Sequence, residues 1–273
     1  MRLTPSQIER FREQGFLVVP ELFARAEIAV LRDALPALYA EETPANIREK
    51  RSGEVRTAMG LHVRHPVYSR LVRHPRLIEP AFQLLGDRLY IQQVKINNKA
   101  AFEGEIWQWH YDFATHRAED GVAAPLALNL HVFLDDVSEF NGPLWFIPGS
   151  HKRGTVPATL DSETTSYPLW CVDRDTVAGL VADGGIVSAT GPAGTALIFG
   201  DRLVHASPPN LSPWDRRIFS LIVNPIANAY TRMQRPDYKH HRDLTPISPL
   251  PDDCLTAAPV WPHNSPETAE RRA

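Results

Sequence analysis

The chain has 273 residues, of which 43% are hydrophobic and 22% are charged, and its formal net charge at pH 7 is -3. This composition predicts a soluble globular protein, and the slightly acidic balance excludes a general basic field that would attract nucleic acid. No signal-peptide core opens the chain, and no apolar run approaches the roughly 18 residues of a membrane span. We therefore expect neither a nucleic-acid nor a membrane partner. Cys171 and Cys254 form no CxxC motif, so we expect free thiols in a cytoplasmic protein.

The first part of the chain is predicted to be helical. Residues 4–15 predict a short helix, because Thr4 can cap its start, Pro5 suits the first turn and Gly15 can end it. Hydrophobic spacing predicts three further elements: a strand at 16–20 and helices at 24–42 and 74–86.

After Gly86 the pattern changes to short runs rich in β-branched and aromatic residues, which turn-forming residues separate. The predicted strands lie within residues 89–98, 106–113, 126–136, 143–148, 194–200, 204–210 and 216–225. Many short strands after a helical opening predict a β-sandwich or barrel backed by helices.

We expect a single domain, because no segment has the composition of a linker. Its expected parts are a helical region at about 1–86, a β core at about 87–230 and an irregular, Pro-rich tail at about 231–273 with a frayed end. Within the core, residues 155–190 are less patterned and predict an insertion or a long loop over one mouth.

The segment WQWHYDFATH, residues 107–116, carries the first chemical signal. In a strand, His110 and Asp112 would point to the same face because they are two residues apart. A buried carboxylate needs a partner, and either a metal ion or a hydrogen bond from the histidine would supply one. Trp107 and Trp109 are also two apart, so we expect them to share a face, with Trp107 beside the pocket.

Downstream residues extend this pair into a metal-binding set. His205, at the end of a predicted strand, would complete two histidines and one carboxylate, the facial triad of non-heme Fe(II) oxygenases. Such a triad leaves positions for a bidentate organic acid and O₂. Arg216 and Arg217 follow on the next strand, and only one of them can point at the site to hold the far carboxylate of that acid. Zinc remains a chemical alternative, but it gives the arginine no obvious task.

Four segments resemble the phytanoyl-CoA dioxygenase family of Fe(II)/2-oxoglutarate oxygenases: 3–23, WHYDF at 109–113, NGPLWFIPGSHKRG at 141–154 and VHASPPNLSPWDRR at 204–217. The resemblance runs from about residue 3 to 226. It implies a mainly β fold with flanking helices, namely a double-stranded β-helix (a cupin-like jelly roll) with an N-terminal helical layer. It also implies Fe(II), 2-oxoglutarate and O₂ as cofactor and co-substrates, and hydroxylation of an unactivated C–H bond with release of succinate and CO₂.

The resemblance also assigns roles to individual residues. The implied iron ligands are His110, Asp112 and His205. Arg216, rather than Arg217, would pair with the distal carboxylate of 2-oxoglutarate, and Ser207 would support it. Because related halogenases have Gly or Ala in place of Asp112, we expect hydroxylation, desaturation or ring chemistry here rather than halogenation.

Within the family, the segment QVKINNKAAFEGEIWQWHYDF is most similar to the ectoine hydroxylases. That similarity would place Gln93 near the substrate, and Lys95, Asn97 and Asn129 near 2-oxoglutarate. The chain departs from the pattern where those enzymes read F-E-T-W-H, because His116 replaces the tryptophan and Arg117 follows it. We therefore predict that His116 and Arg117 contact a substrate with a free carboxylate.

We expect the substrate to be a small molecule: an amino acid, an amino-acid derivative or a natural-product intermediate. The alternatives are a non-catalytic metal- or ligand-binding jelly roll, an ectoine or acyl-CoA hydroxylase of the same family, and a zinc hydrolase, which lacks a clear general base. The chain is expected to be a monomer or a homodimer. Among the other histidines, we expect His131 to lie in the core and His151 in a turn, neither as a ligand.

Overall fold

The computed structural model describes residues 1–257, and the expected frayed end after that point lies outside the described residues. The helices are α1 (Pro5–Gln14), α2 (Arg25–Asp33), α3 (Leu35–Ala40), α4 (Leu61–Arg64), α5 (Pro66–Leu71), α6 (Pro75–Leu85), α7 (Asp112–Asp120) and α8 (Arg174–Gly184). The strands are β1 (Phe16–Val19), β2 (Asn46–Arg48), β3 (Val55–Met59), β4 (Leu89–Lys99), β5 (Trp107–His110), β6 (Leu128–Phe133), β7 (Leu144–Phe146), β8 (Thr159–Asp161), β9 (Leu169–Cys171), β10 (Val187–Ala189), β11 (Ala196–Gly200), β12 (His205–Ser207) and β13 (Arg216–Pro225).

The strands form two antiparallel sheets that face each other. The larger sheet has seven strands in the order β1-β11-β6-β13-β4-β3-β2, and the smaller has six in the order β10-β7-β12-β5-β9-β8. Rings from the two sheets meet between them, where Phe16 stacks on Phe146 with ring centroids 4.8 Å apart. This arrangement is the double-stranded β-helix, or jelly roll, and the fold prediction is confirmed.

The helices supply a second core on the outer face of the larger sheet. Side chains of α2, α3, α5 and α6 pack there against β4, β6 and β13 in one continuous apolar cluster. The stacking of Tyr68 on Phe219, with centroids 5.8 Å apart, is one such contact between helix and sheet. The predicted N-terminal helical layer therefore buries the face of the sheet that points away from the smaller sheet.

The first helix forms as its sequence predicts. The Thr4 hydroxyl accepts a hydrogen bond from the Gln7 amide, and the Gln7 side chain accepts one from the Thr4 amide. Gly15 ends the helix with φ +88°, a conformation that glycine adopts without steric cost. The prediction of one helix over 24–42 is wrong, because the helix breaks at Ala34, two residues before Pro36, whose nitrogen has no hydrogen to donate.

Two weakly patterned segments contribute more structure than their sequence indicates. Residues 155–190 contain β8, β9, α8 and β10 rather than a long loop, and β9 extends the smaller sheet by pairing with β5. The tail contains no helix or strand from residue 231 to 257, as predicted. Ile247 and Leu255 are nevertheless buried in the apolar cluster between the helices and the larger sheet.

Both thiols are free, as expected. Among residues 1–257, no helix is both long enough and apolar enough to cross a membrane.

Candidate active site

Three predicted metal ligands converge between the two sheets. One ligand atom from each of His110, Asp112 and His205 lies within 4.8 Å of the other two. The antiparallel pairing of β5 with β12 sets His110 directly opposite His205, and their ring centroids are 4.1 Å apart. Strand register therefore brings together two histidines that are far apart in sequence.

Asp112 reaches the cluster by a different route from the one predicted. The chain leaves β5 at Tyr111, and Asp112 is the first residue of α7 rather than the next inward position of a strand. The alternation argument for His110 and Asp112 is therefore wrong in its geometry. A carboxylate in the first turn of a helix is favoured by the partial positive charge of the free amides there.

A bulge in β5 changes which aromatic residues face the site. His110 pairs with His205 and Trp107 pairs with Ser207, so β5 has one residue more than β12 between these two pairs. The extra residue shifts the side-chain alternation. Trp107 lines the central cavity, whereas Trp109 packs into a separate apolar cluster. The prediction that the two tryptophans share a face is wrong for this reason.

Both histidines are held in the form that binds a metal. The Nδ1 atom of His110 lies 2.6 Å from the Gln108 carbonyl oxygen, and that of His205 lies 2.8 Å from the Leu203 carbonyl oxygen. A carbonyl can only accept, so each Nδ1 donates and each Nε2 keeps a free lone pair. Burial lowers the pKa of His110 to about 3 and also lowers the pKa of His205, so both rings are neutral at pH 7.

The third ligand is an ionised carboxylate. Burial alone would raise the pKa of Asp112, but electrostatic interaction with the nearby His205 and His110 rings and with Lys95 outweighs it, and the pKa lies well below its usual range. Asn129 Nδ2 donates to Asp112 Oδ2 at 2.9 Å and so orients the carboxylate. Two neutral imidazoles and one oriented carboxylate on one side of a shared point fit a divalent first-row metal such as Fe(II).

Arg216 and Arg217 face opposite ways, as adjacent strand residues must. Arg216 is 1% exposed and lines the cavity, where its Nη2 donates to Ser207 Oγ at 3.2 Å. Its Nε has no acceptor among residues 1–257. Burial lowers the pKa of Arg216 to about 9, which leaves it charged at neutral pH. Arg217 instead points away and binds Asp135, with Nε 2.7 Å from Oδ2.

Most of the other residues predicted to bind co-substrate or substrate also reach the cavity. It is lined in part by Gln93, Lys95, Asn97, Trp107, His116 and Asn129. Gln93 Nε2 donates to the Lys239 carbonyl oxygen at 2.6 Å, which fixes its amide. The contact of Asn129 with Asp112 makes it a support of the ligand cluster in this structure, whereas we predicted it near 2-oxoglutarate.

Arg117 does not reach the cavity. Its side chain is exposed and is absent from the cavity lining, because successive residues of a helix point about 100° apart and His116 takes the inward direction. The predicted contact of Arg117 with the substrate is therefore corrected. His116 is 2% exposed, and its Nδ1 lies 3.7 Å from Oδ2 of the buried Asp201.

Several cavity residues were missed or underrated in the sequence, among them three from weakly patterned segments and one histidine. Tyr167 and Leu169 come from the segment that we predicted to be an insertion, and Arg235 comes from the tail. No motif marks any of these three positions. His131 is buried as expected, but it also lines the cavity, and its ring nitrogens have no partner among residues 1–257.

The fold and the three-ligand cluster together define a metal-dependent oxygenase built on a double-stranded β-helix. Residues 11–218 match the family model described as phytanoyl-CoA dioxygenase (PhyH). The chain belongs to the phytanoyl-CoA dioxygenase family, as the resemblance of its motifs predicted.

Similar proteins of known activity cover nearly the whole chain. An L-proline trans-4-hydroxylase from Streptomyces griseoviridis is 37% identical over 90% of this chain and 96% of its own length. An ectoine dioxygenase from Bordetella bronchiseptica is 35% identical over 83% of this chain and 77% of its own length. The structure of EctD from S. alaskensis with 2-oxoglutarate and 5-hydroxyectoine is 31% identical, with a TM-score of 0.77 over 91% of this chain and 86% of that one.

Proposed function

We propose that this protein is an Fe(II)/2-oxoglutarate-dependent dioxygenase that hydroxylates an unactivated C–H bond of a free amino or imino acid, with L-proline as the first candidate. The observation that carries the proposal is the joint presence of the His110, Asp112 and His205 cluster and the inward Arg216 in one cavity. A metal site alone needs no buried guanidinium, whereas a bound oxoacid does.

The reaction class follows from the family and its hydroxylase members. Iron, 2-oxoglutarate and O₂ together supply an oxidant that inserts oxygen into a C–H bond, with succinate and CO₂ as the other products. His110, Asp112 and His205 would hold the iron through two Nε2 atoms and one carboxylate oxygen. Asn129 would keep that carboxylate oriented through its hydrogen bond to Oδ2.

The proposed 2-oxoglutarate site combines charge and hydrogen bonding. Arg216 would pair with the distal carboxylate, and the Ser207 hydroxyl, 3.2 Å from the guanidinium, would support the same group. Lys95 and Asn97 line the same cavity and would contribute further polar contacts. Because Arg216 is buried, its pairing with a carboxylate would be little weakened by solvent.

Two observations support an amino or imino acid as the substrate. The proline hydroxylase matches this chain over almost its full length, and its substrate is a small zwitterion. His116 faces the cavity in place of the tryptophan of the ectoine hydroxylases, and an imidazole suits a carboxylate better than it suits a ring-shaped cation. The EctD complex makes ectoine the second candidate substrate.

The proposal also covers the partner, the cellular compartment, the oligomeric state and the domain organisation. The partner would be a small molecule rather than nucleic acid or a membrane, in keeping with the net charge of -3. We place the enzyme in the cytoplasm as a monomer or homodimer of one domain. The unpaired Cys171 and Cys254 support a reducing compartment.

A succinate-release assay with Fe(II), ascorbate and 2-oxoglutarate tests both the proposed reaction and the proposed substrate. The panel contains L-proline, other free amino acids, ectoine and a CoA thioester, and mass spectrometry checks the product for one added oxygen atom. We expect L-proline or another free amino acid to give the highest substrate-dependent rate. Failure to consume 2-oxoglutarate with any compound would refute the reaction, whereas preference for ectoine or the thioester would refute only the substrate.

A further inference from the structure

Trp107, Tyr167 and Leu169 form one side of the cavity, which we call the apolar wall. The three side chains are buried in one cluster, and all three line the cavity. The Trp107 and Tyr167 rings are tilted against each other with centroids 5.2 Å apart. The centroid of the Trp107 ring also lies 6.5 Å from that of His110, so the wall stands next to the metal-ligand cluster. A substrate that reaches the cluster would therefore pack against this wall.

The backbone alone fixes the apolar wall weakly. Trp107 is the first residue of β5 and follows the irregular segment 100–106. On its other side, the bulge between Trp107 and His110 interrupts the regular pairing with β12. Tyr167 lies in the turn between β8 and β9. The position of both rings therefore depends on side-chain contacts.

Arg56, from β3, stacks on the Trp107 ring. Its guanidinium carbon lies 4.1 Å from the centre of that ring. Arg56 is 1% exposed and is not among the residues that line the cavity, so it contacts the ring from behind the wall. A guanidinium that is shielded from water over an indole ring makes a favourable cation–π contact.

Two carboxylates and one carbonyl group hold the Arg56 guanidinium in place. Nη1 donates to Glu49 Oε1 at 3.3 Å and to Glu105 Oε2 at 3.2 Å. Nη2 donates at 2.7 Å to the carbonyl oxygen of Ile106, the residue just before Trp107. Because the N–H groups of a guanidinium lie in one rigid plane, these bonds set the plane of the group over the indole ring.

The same carboxylates hold the turn that carries Tyr167. The amide of Ser166, the preceding residue, donates to Glu105 Oε2 at 3.2 Å. The Ser166 hydroxyl donates to Glu49 Oε2 at 3.4 Å. Arg56 and its two carboxylates are thus connected to both rings of the apolar wall, although Arg56 itself does not reach the cavity.

We infer that Arg56 is a positioning residue for the reaction: it holds the apolar wall where the substrate C–H bond is kept beside the metal cluster. The inference rests on the proposed function. In coupled turnover, each succinate is accompanied by one hydroxylated product. When the wall is displaced and the substrate with it, ascorbate supplies the two electrons instead, and succinate, CO₂ and water form while the substrate leaves unchanged.

The ratio of hydroxylated product to succinate tests the inference. It is measured with the compound that gives the highest rate in the substrate panel. Arg56→Gln combined with Glu49→Gln removes the cation together with one of its carboxylates, so that no excess charge is buried. This variant should lower the ratio by roughly 2- to 30-fold, the factor that corresponds to loss of a cation–π contact. Its succinate release at saturating 2-oxoglutarate should stay within about two-fold, because the ligand cluster and Arg216 are unchanged.

A conservative variant and a matched control accompany it. Arg56→Lys keeps the charge, but an ammonium cannot donate to both carboxylates and the Ile106 carbonyl while it covers the ring, so its ratio should lie between those of the other two proteins. Arg51→Gln removes an exposed guanidinium from the turn between β2 and β3 and should leave the ratio unchanged.

A double-mutant cycle shows whether Arg56 acts through Trp107. Trp107→Leu should itself lower the ratio, because the aromatic part of the wall is lost. Adding the Arg56→Gln and Glu49→Gln changes to Trp107→Leu should lower the ratio no further, since the ring that Arg56 positions is absent. A general structural role of Arg56 would give the same loss in both backgrounds.

The outcomes separate this inference from the proposed function. An unchanged ratio in the folded Arg56 variants, or an equal further loss in Trp107→Leu, would overturn the role of Arg56 while the dioxygenase reaction stands. Failure of every Arg56 variant to fold, judged by circular dichroism, would make Arg56 a residue of the fold alone and would also overturn the inference. Absence of 2-oxoglutarate consumption with every compound would instead overturn the proposed function, and the inference with it.

Discussion

The strand side and the tail side of the cavity are built on different principles. On the strand side, His110, His205 and Arg216 lie on paired strands, and the register of β5, β12 and β13 fixes where they meet. On the tail side, Arg235 lies on a segment without helix or strand and is held by Asp120. The comparison teaches that His110, His205 and Arg216 are placed by backbone pairing, whereas Arg235 is placed by a side-chain ion pair, which substitutions can alter without disturbing the sheets.

The largest effect is expected on the strand side. Asp112→Ala and His205→Ala should each reduce 2-oxoglutarate turnover by about three orders of magnitude or more, because each variant removes one of the three protein ligands proposed for the iron. Succinate release under saturating 2-oxoglutarate measures this.

The matched control for the ligand variants is Asp243→Asn, which removes an exposed carboxylate of the tail. It should turn over at the rate of the unaltered enzyme. Full activity in either ligand variant would contradict the assignment of the cluster.

The two neighbouring arginines sharpen the comparison within one strand. Loss of one partner of a buried ion pair costs roughly 3 to 5 kcal/mol, so Arg216→Gln should raise the 2-oxoglutarate requirement by about two orders of magnitude or more. Arg217→Gln should change that requirement little, because Arg217 faces Asp135 outside the cavity. Titration of 2-oxoglutarate in the succinate assay measures both, and the opposite ranking would mean that the cavity anchor is misassigned.

The tail side makes a prediction about pH. Burial raises the pKa of Asp120, but the nearby His240 ring and the two hydrogen bonds from Arg235 outweigh it, and the pKa falls to about 2. A carboxyl group with a lowered folded-state pKa stabilises the protein above its unfolded pKa of about 4 and loses that contribution as the pH falls toward 2. Asp120→Asn should thus be less stable than the unaltered enzyme by about 2 kcal/mol at pH 7, and the difference should shrink below about pH 4.

Urea unfolding of both proteins at a series of pH values measures this difference. Asp243→Asn again serves as the exposed control. A difference that stays constant from neutral pH to pH 3 would show that the ion pair with Arg235 does not stabilise the fold in the way described.

The smallest effect is expected at Arg117. This residue is exposed on α7 and lies outside the cavity lining, so Arg117→Gln should leave kcat/KM for the best substrate within about two-fold. His116→Gln, at the neighbouring inward position, should lower it more. If Arg117→Gln had the larger effect, α7 would have to be rotated in the working enzyme.

The strand side could be predicted from the sequence, because its motifs coincide with regular structure. The runs around His205 and Arg216 alternate as strands do, and the predicted choice of Arg216 over Arg217 as the inward residue agrees with the direction of each side chain. The motif predicted Asp112 as a metal ligand, but the strand conformation expected around it was wrong. Asp112 begins α7, and no strong local signal in the sequence marks the turn at Tyr111.

The tail side could not be predicted, and the reason is physical. Arg235 is brought to the cavity by an ion pair with Asp120, which lies 115 residues earlier in the chain, and no local pattern encodes that pairing. Tyr167 and Leu169 reach the cavity because β9 adds to β5 through a single paired position, His110 with Cys171. Contacts of this kind depend on the completed fold rather than on the periodicity of one segment.

The most direct test of the central claim is the visible absorption of the enzyme with Fe(II) and 2-oxoglutarate in the absence of O₂. Chelation of the oxoacid to iron in the proposed cluster should produce a weak charge-transfer band, and both Asp112→Ala and His205→Ala should lose it. In Arg216→Gln the same band should appear, but only at a much higher 2-oxoglutarate concentration. A band of full intensity in both ligand variants, or its absence from the unaltered enzyme at saturating Fe(II) and 2-oxoglutarate, would contradict the account.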